Sequence, residues 1–519
     1  MNDTLENIMK NSLQGCSQNC RIGQVIKDLA HADPAAVAVV SSKYNPLTYS
    51  QLAWQIDHVA YILGKSGLGD SARIAIAVKD TAPAALAIVA VACFSAAVPL
   101  DPNLAPAEIA LRLKLLDVDA VLVLAGEQTV CGTLAKEQGI AMIEFAQKEH
   151  RDLLFSMSAP KIQSKIRLDD VPMDHVAVIF QTSGTSAEPK FVPCTHAGLL
   201  AAAKQAASWF GLDKKDRCLS IAPPYYSHGL TFTILAPLLS GGSVAFPSRL
   251  TDLNLSEWFE ALNPTWYSTS PTIHLAISEK LSASSSGLTH RLRLAGSGGA
   301  PLPESVRSCL EQALGIPVLE HYGMTEASQI TTNLPPPGPF KPGTVGIPPA
   351  DTMMIATPDG KGLPSGQRGE IWVRGANVTT GYLNGHRLDQ SAFVDGWFRT
   401  GDIGSFDEEG FLTLHGRIKE LINRGGEKIS PFEVEAAIMK HPAVEEAVAF
   451  ALPHPRLGED VGLALVLRPG AMLDIAEFRR FMSDSISWNK IPRRIHALES
   501  IPKGLGGKAL RRKLRERYA

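Results

Sequence analysis

Apolar residues along this chain come in short unbroken runs rather than in strict alternation with polar ones. "ARIAIAV" (72–78), "AVLVLA" (120–125), "VAVIFQ" (176–181), "CLSIAPP" (218–224), "TWYSTS" (265–270) and "LRLAGS" (292–297) have strand length, and segments of helical character follow them. Strands that are apolar throughout are covered on both faces, so the pattern predicts α/β layers on largely parallel sheets. From about Gly343 to Arg417 the helical segments thin out and hairpin turns appear, as in "FDEEGFLTLHGR". After that, "SPFEVEAAIMKHPAVEEAVAF" and "VGLALVLRPG" predict a compact α+β module. Ser430, Pro431 and Glu433 spell the start of its first helix, a capping box with proline at the first position. A boundary near Ile418 therefore divides the chain into residues 1–418 and 419–519.

One apolar segment, "APAALAIVAVACFSAAVPL" (82–100), is long enough to cross a bilayer. It is alanine-rich, contains Pro83 and Pro99, and lies inside the alternation of strands and helices, so it reads as a buried helix running into a strand. No integral membrane association is expected. The beginning of the chain has no basic stretch followed by an apolar one, so no secretory signal is read there.

The chain has 519 residues, 45% of them hydrophobic and 20% charged, enough for several full-sized cores. Its net charge of -2 conceals a split: residues 419–519 carry 18 Lys and Arg against 13 Asp and Glu, and the rest carry 32 against 39. The basic end suits a phosphorylated ligand or an acidic protein, or is simply a solvated surface. In its basic tail (Arg511, Arg512, Lys513, Arg515, Arg517) no aromatic residue interleaves the charges except Tyr518, so nucleic acid is not expected as a partner. Seven scattered cysteines suit reduced thiols and a cytoplasmic location. Cys16 and Cys20 lack further ligands at zinc spacing.

The stretch "QTSGTSAEPKFVP" (181–193) is the first candidate for chemistry. It follows a buried strand, and the carboxyl ends of strands in α/β sheets are where ligands dock. Its glycine, hydroxyls and lysine are suited to phosphate oxygens. It is not a Walker A loop, because Gly184 stands six residues before Lys190, a second glycine is absent, and Phe191 occupies the place of the magnesium-binding hydroxyl. On composition alone an ordinary Ser/Thr-rich surface loop explains it better.

Five further segments follow in order: "GSGGAPLP" (296–303), "EHYGMTEAS" (320–328), "WFRTGDIG" (397–404), "GRIKELINRGGEKISPFEVE" (416–435) and "IPKGLGGKALRR" (501–512). With the loop, they resemble the adenylate-forming superfamily of acyl-CoA synthetases, peptide-synthetase adenylation domains and luciferases. Within it, "NPTWYSTSPTIH" (263–274) and two of the other segments look most like oxalate-CoA ligases. The resemblance implies a large N-terminal domain of layered α/β subdomains plus a distorted β-barrel, carrying a small mobile α+β C-terminal domain.

The resemblance also implies roles. Thr182, Ser183, Gly184, Thr185, Ser186 and Lys190 would hold the β- and γ-phosphates of ATP. Gly299, Ala300 and Pro301 would wall the adenine slot. His321, Tyr322, Gly323 and Met324 would continue it, with Tyr322 stacking on the base. Thr325 would touch the α-phosphate, and Glu326 would hold Mg2+. Asp402 would accept the ribose hydroxyls, supported by Arg417. Lys508 would be the catalytic lysine that offsets charge as the acid attacks phosphorus. Lys419 would be the hinge, and Gly425 and Gly426 would leave room for the pantetheine arm of CoA. Tyr226, Ser227, His228 and Ser297 are the candidates for the acid pocket, where a small polar acid is expected. The extra glycine of "GSGGAP" raises the contrary expectation of room for a longer or aromatic acyl chain. The acceptor expected is CoA, with a carrier protein as the alternative. A degenerate nucleotide-binding regulator is the alternative of another class, suggested by Ala187 and Phe191 in the phosphate loop.

Overall fold

The structure, a computed structural model, describes residues 21–162, 176–182, 189–283, 288–383, 391–503 and 509–519. Each of the six apolar runs forms a strand: Arg73–Ile76, Ala120–Leu124, Val176–Thr182, Arg217–Leu219, Trp266–Thr269 and Leu294–Ser297. They belong to two large sheets whose interior strands are parallel and whose edges are antiparallel.

The seven-stranded sheet runs Phe155–Ser158, Ala141–Gln147, Ala120–Leu124, Arg73–Ile76, Ala96–Pro99, Val176–Thr182, Lys190–Thr195. The eight-stranded sheet runs Ser328–Thr332, Val318–Met324, Leu294–Ser297, Trp266–Thr269, Arg217–Leu219, Ser243–Phe246, Val37–Ser41, Leu47–Thr48. One large apolar cluster draws on both sheets and on the helices Ile22–Ala32, Tyr49–Lys65 and Thr81–Ala92. Thr81–Ala92 is buried along its length from Ala82 and leads to the strand Ala96–Pro99, as the sequence predicts. Among the described residues no helix is long and apolar enough to cross a membrane.

A five-stranded antiparallel sheet follows, in which Trp397–Phe406 pairs with Gly369–Val373 on one side and with Leu412–Arg417 through the predicted hairpin. The last strands form another five-stranded sheet with two cores of their own, around Ile422, Val434 and Leu463 and around Phe450 and Leu514. The result is a mixed α/β chain with a large N-terminal and a smaller C-terminal domain.

The helix Pro431–Ile438 starts as predicted, with the Ser430 hydroxyl accepting from the Glu433 N–H. The reciprocal half of the box is given up: the Glu433 carboxylate takes Lys490 at 2.6 Å and Arg368 at 3.7 Å. Lys419 lies in the single helical turn Ile418–Glu420 between the last two sheets.

Candidate active site

Thr182 and Lys190 are partners across the antiparallel pair Val176–Thr182 and Lys190–Thr195, so the hydroxyl-rich loop is closed at its base by two of its own predicted residues. Ser183, Gly184, Thr185 and Ser186 lie outside the described residues. Lys190 places its ammonium 4.4 Å from the centre of the Tyr382 ring, and the Tyr382 hydroxyl donates to Glu326 Oε1 at 2.8 Å. The predicted phosphate-binding cation and the predicted metal-binding acid are thereby joined through a tyrosine that no motif pointed to. Phe191 is buried in the core. It is 3% exposed, packs in an apolar cluster with Leu383, and its carbonyl accepts from the Leu383 N–H at 3.0 Å. A glycine family position has here become a core position.

Asp402 stands on the strand Trp397–Phe406 opposite Arg417. Its Oδ1 accepts from Arg417 Nε at 2.6 Å and its Oδ2 from the Tyr322 hydroxyl at 2.6 Å. The "TGD" turn that aims it is braced: Thr400 donates to the Ile371 carbonyl and accepts from the Asp402 N–H, while Gly401 takes φ +72°. Burial and the adjoining Asp402 push the Tyr322 hydroxyl well above its ordinary range. Burial works against the Arg417 charge, but Asp402 outweighs it and holds the guanidinium above its usual value. Two of the roughly four lone-pair sites of this carboxylate remain for a ligand.

Gly299, Ala300 and Pro301 form an exposed lip just past the strand Leu294–Ser297, with Gly299 at φ +90°. Beneath it the Ser268 hydroxyl bridges two imidazoles, at 2.9 Å from His228 Nε2 and 3.0 Å from His321 Nε2. The rings meet edge to face with centres 5.1 Å apart, over a floor of Phe232 and Trp266. A hydroxyl has one proton, so Ser268 donates to one ring and accepts from the other. Burial, followed by His228, pushes His321 well below its ordinary value, so the His321 ring acts as a neutral donor and acceptor.

Ser268 escaped the sequence reading because it lies in mid-strand, and its only signal is a polar residue in an otherwise buried run. Ser297 is also buried, and its hydroxyl has no hydrogen-bond partner among the described residues. At two positions of the glycine-rich segment the space is already taken by side chains. A Cβ at Gly298 would lie 2.0 Å from His321 Cε1, and one at Gly296 would lie 2.7 Å from Ser268 Oγ, so the room left by these glycines is filled by this cluster.

The remaining predicted positions divide. Tyr226 points its hydroxyl at Asp101 Oδ2, 3.3 Å away, and Ser227 is half-buried before the helix His228–Leu235. Thr325, Gly323 and Met324 are half-buried where the strand Val318–Met324 ends, next to the buried Glu326. Gly425 and Gly426 make the two-residue turn between Ile422–Arg424 and Glu427–Ile429 with φ +62° and +93°, a conformation that by itself calls for glycine. Lys508 lies outside the described residues. The described residues on either side of it, Lys503 and Ala509, form a bridge, and Arg511 holds Glu435 with two bonds, Nη2 to Oε1 at 2.8 Å and Nη2 to Oε2 at 2.9 Å, and reaches Glu420, next to Lys419, at 3.1 Å.

Residues 26–383 match the AMP-binding enzyme family, and residues 433–508 match the AMP-binding enzyme C-terminal domain. The chain belongs to this family. It is 34% identical over 487 residues to the oxalate–CoA ligase of Arabidopsis thaliana, covering 91% of this chain and 93% of that one. With the oxalate–CoA ligase of Saccharomyces cerevisiae it shares 39% identity over 347 residues, 66% of this chain and 63% of that one. The crystal structure of ATP-bound MatB from Rhodopseudomonas palustris superposes with a TM-score of 0.82 at 25% identity, over 96% of this chain and 99% of that one. As an AMP-binding enzyme of this type the chain is an AMP-forming acid–CoA ligase that uses ATP, Mg2+ and CoA.

Proposed function

We propose that the acid activated is small and polar, with oxalate the foremost candidate. The observation that carries this reading is the cluster of Ser268, His228 and His321. A long apolar chain placed there would cover the half-buried His228 imidazole at the edge of the cluster and give no hydrogen bond back, whereas the oxygens of a short diacid can accept from an N–H or O–H there. The relatives that act on oxalate support the same choice.

The chemistry has two halves. A carboxylate oxygen attacks the α-phosphorus of ATP and pyrophosphate leaves; the CoA thiol, losing its proton, then attacks the acyl carbon and AMP leaves. Lys190 with Thr182 and the loop hydroxyls of Ser183, Thr185 and Ser186 would hold the outer phosphates, with Gly184 giving the turn. Tyr322, with Gly299 to Pro301 beside it, would bind the base, and the free lone pairs of Asp402 would accept the ribose hydroxyls. Glu326 fits Mg2+: with Oε1 engaged by Tyr382, its other oxygen is a hard ligand, and Mg2+ characteristically takes one or two carboxylates plus phosphate oxygens. When bound, the ion offsets phosphate charge. Lys508 and Thr325 would meet the charge that develops on the α-phosphate, and turning about Lys419 would exchange Lys508 for the Gly425–Gly426 turn when the thiol enters. Positioning and electrostatics carry the rate in such a reaction.

Acid-dependent ATP–pyrophosphate exchange, run over oxalate, other short diacids, fatty acids and benzoates with a Lys508→Ala control, tests this reading. Oxalate should give the highest kcat/KM, Lys508→Ala should abolish exchange, and AMP release should need CoA. A preference for fatty acids or benzoates would refute the small-acid assignment. Exchange without turnover of CoA would instead point to a carrier protein as acceptor.

A further inference from the structure

The eight-stranded sheet carries the candidate active site at the carboxyl ends of its parallel strands. At the opposite end, where Val37, Arg217 and Ser243 begin their strands, there is a second cavity of about 250 Å³. Lys214, Lys215, Arg217 and Arg291 line it together with Ser243 and Asn263, and Asp33 is the only acid in the lining.

These cations are not neutralised within the fold. Among the described residues none of the four has an ion pair, and the nearby Asp216 is committed to Arg293 at 2.8 Å and to the Thr265 hydroxyl at 2.6 Å. Arg217 is held in place, Nε donating to Ser243 Oγ at 3.1 Å and Nη1 to the Leu262 carbonyl at 3.0 Å, while Nη2 has no hydrogen-bond partner among the described residues. Burial and then the like charge of Arg291 both act against its protonated form. A fold that gathers four positive charges around a cavity, with a single acid to offset them, gains by admitting a compact multiply charged anion. Guanidinium forks and ammonium groups together suit phosphate oxygens.

We propose that this cavity is a second anion site, distinct from the nucleotide end of the sheet, that takes a small oligophosphate. Inorganic pyrophosphate, free of metal, is the probe. It is titrated calorimetrically at low salt into the full chain, into Lys190→Ala, and into a variant with Lys214→Ala, Lys215→Ala and Arg291→Ala. All three substituted side chains are exposed, so the fold should survive, which circular dichroism and retained ATP–pyrophosphate exchange would verify. The expected result is two binding events in the parent, one of them weakened at least about tenfold in the triple variant and strengthened by lowering the salt. That event should persist in Lys190→Ala. A single event lost in Lys190→Ala, or a folded triple variant that binds as the parent does, would overturn the proposal. If Lys190→Ala kept both events while the triple variant lost one, the second site would stand and the role of Lys190 in phosphate binding would fail.

Discussion

Replacing Gly298 by alanine tests the proposed acid pocket where it is packed against His321. The new Cβ would lie 2.0 Å from His321 Cε1 and 2.5 Å from Nδ1, whereas ordinary contact begins near 3.4 Å. The ring would have to retreat by about 1.4 Å, the difference between those distances, and this is enough to break its 3.0 Å bond to Ser268. Overpacking of this kind costs about 1–3 kcal/mol and a lost hydrogen bond about 1 kcal/mol. If roughly 2 kcal/mol of it falls on the acid complex, kcat/KM for the acid drops about 30-fold, with KM for ATP little changed. The assay is steady-state AMP release with the acid and ATP varied in turn, on Gly298→Ala, His321→Ala and the double variant. Because the clash is with the imidazole, Gly298→Ala should cost almost nothing in the His321→Ala background. A full penalty in that background, or an unchanged KM for the acid in the single variant, would refute the argument that the glycine exists to seat His321.

Three other outcomes are expected. Asp402→Asn keeps the shape of the side chain but removes the charge shared by Arg417 and Tyr322, so kcat/KM for ATP should fall about ten- to a hundredfold, from a loss of about 1.5–3 kcal/mol, while KM for the acid barely moves. Phe191→Gly would bring the loop closer to the family pattern yet open a hole beside Leu383, so denaturant unfolding should show a loss of about 3–5 kcal/mol rather than tighter ATP binding. Burial lowers the imidazole of His274 to about 4, so on acidification the unfolded chain takes a proton near pH 6.5 that the folded chain refuses until about pH 4. Stability from this group is complete above pH 6.5 and is lost as pH falls toward 4, on the order of 3 kcal/mol in all. Glu320, raised to about 7 mainly by burial, has the opposite slope, so the test is the difference between parent and His274→Gln in unfolding free energy at pH 7.5 and pH 5.

Much of the architecture could be read along the chain because its signals are local. Runs such as "VAVIFQ" are apolar on both faces and can only be interior strands, and Ser430 followed by Pro431 starts a helix wherever it falls. The ordered motifs likewise pointed to the chemistry, since Thr182, Lys190, Glu326, Asp402 and Arg417 all fall inside them. What the chain could not disclose was pairwise geometry between residues far apart in sequence. Ser268 and Tyr382 look like unremarkable strand and loop residues until folding brings the first between His228 and His321 and the second between Lys190 and Glu326. Phe191 read as damage to a phosphate loop, and the backbone pairing with Leu383 makes it a core residue instead. The glycines at 296 and 298 were ambiguous in the same way. A missing side chain signals that space is needed, and only the packed structure decides whether substrate or another side chain fills it.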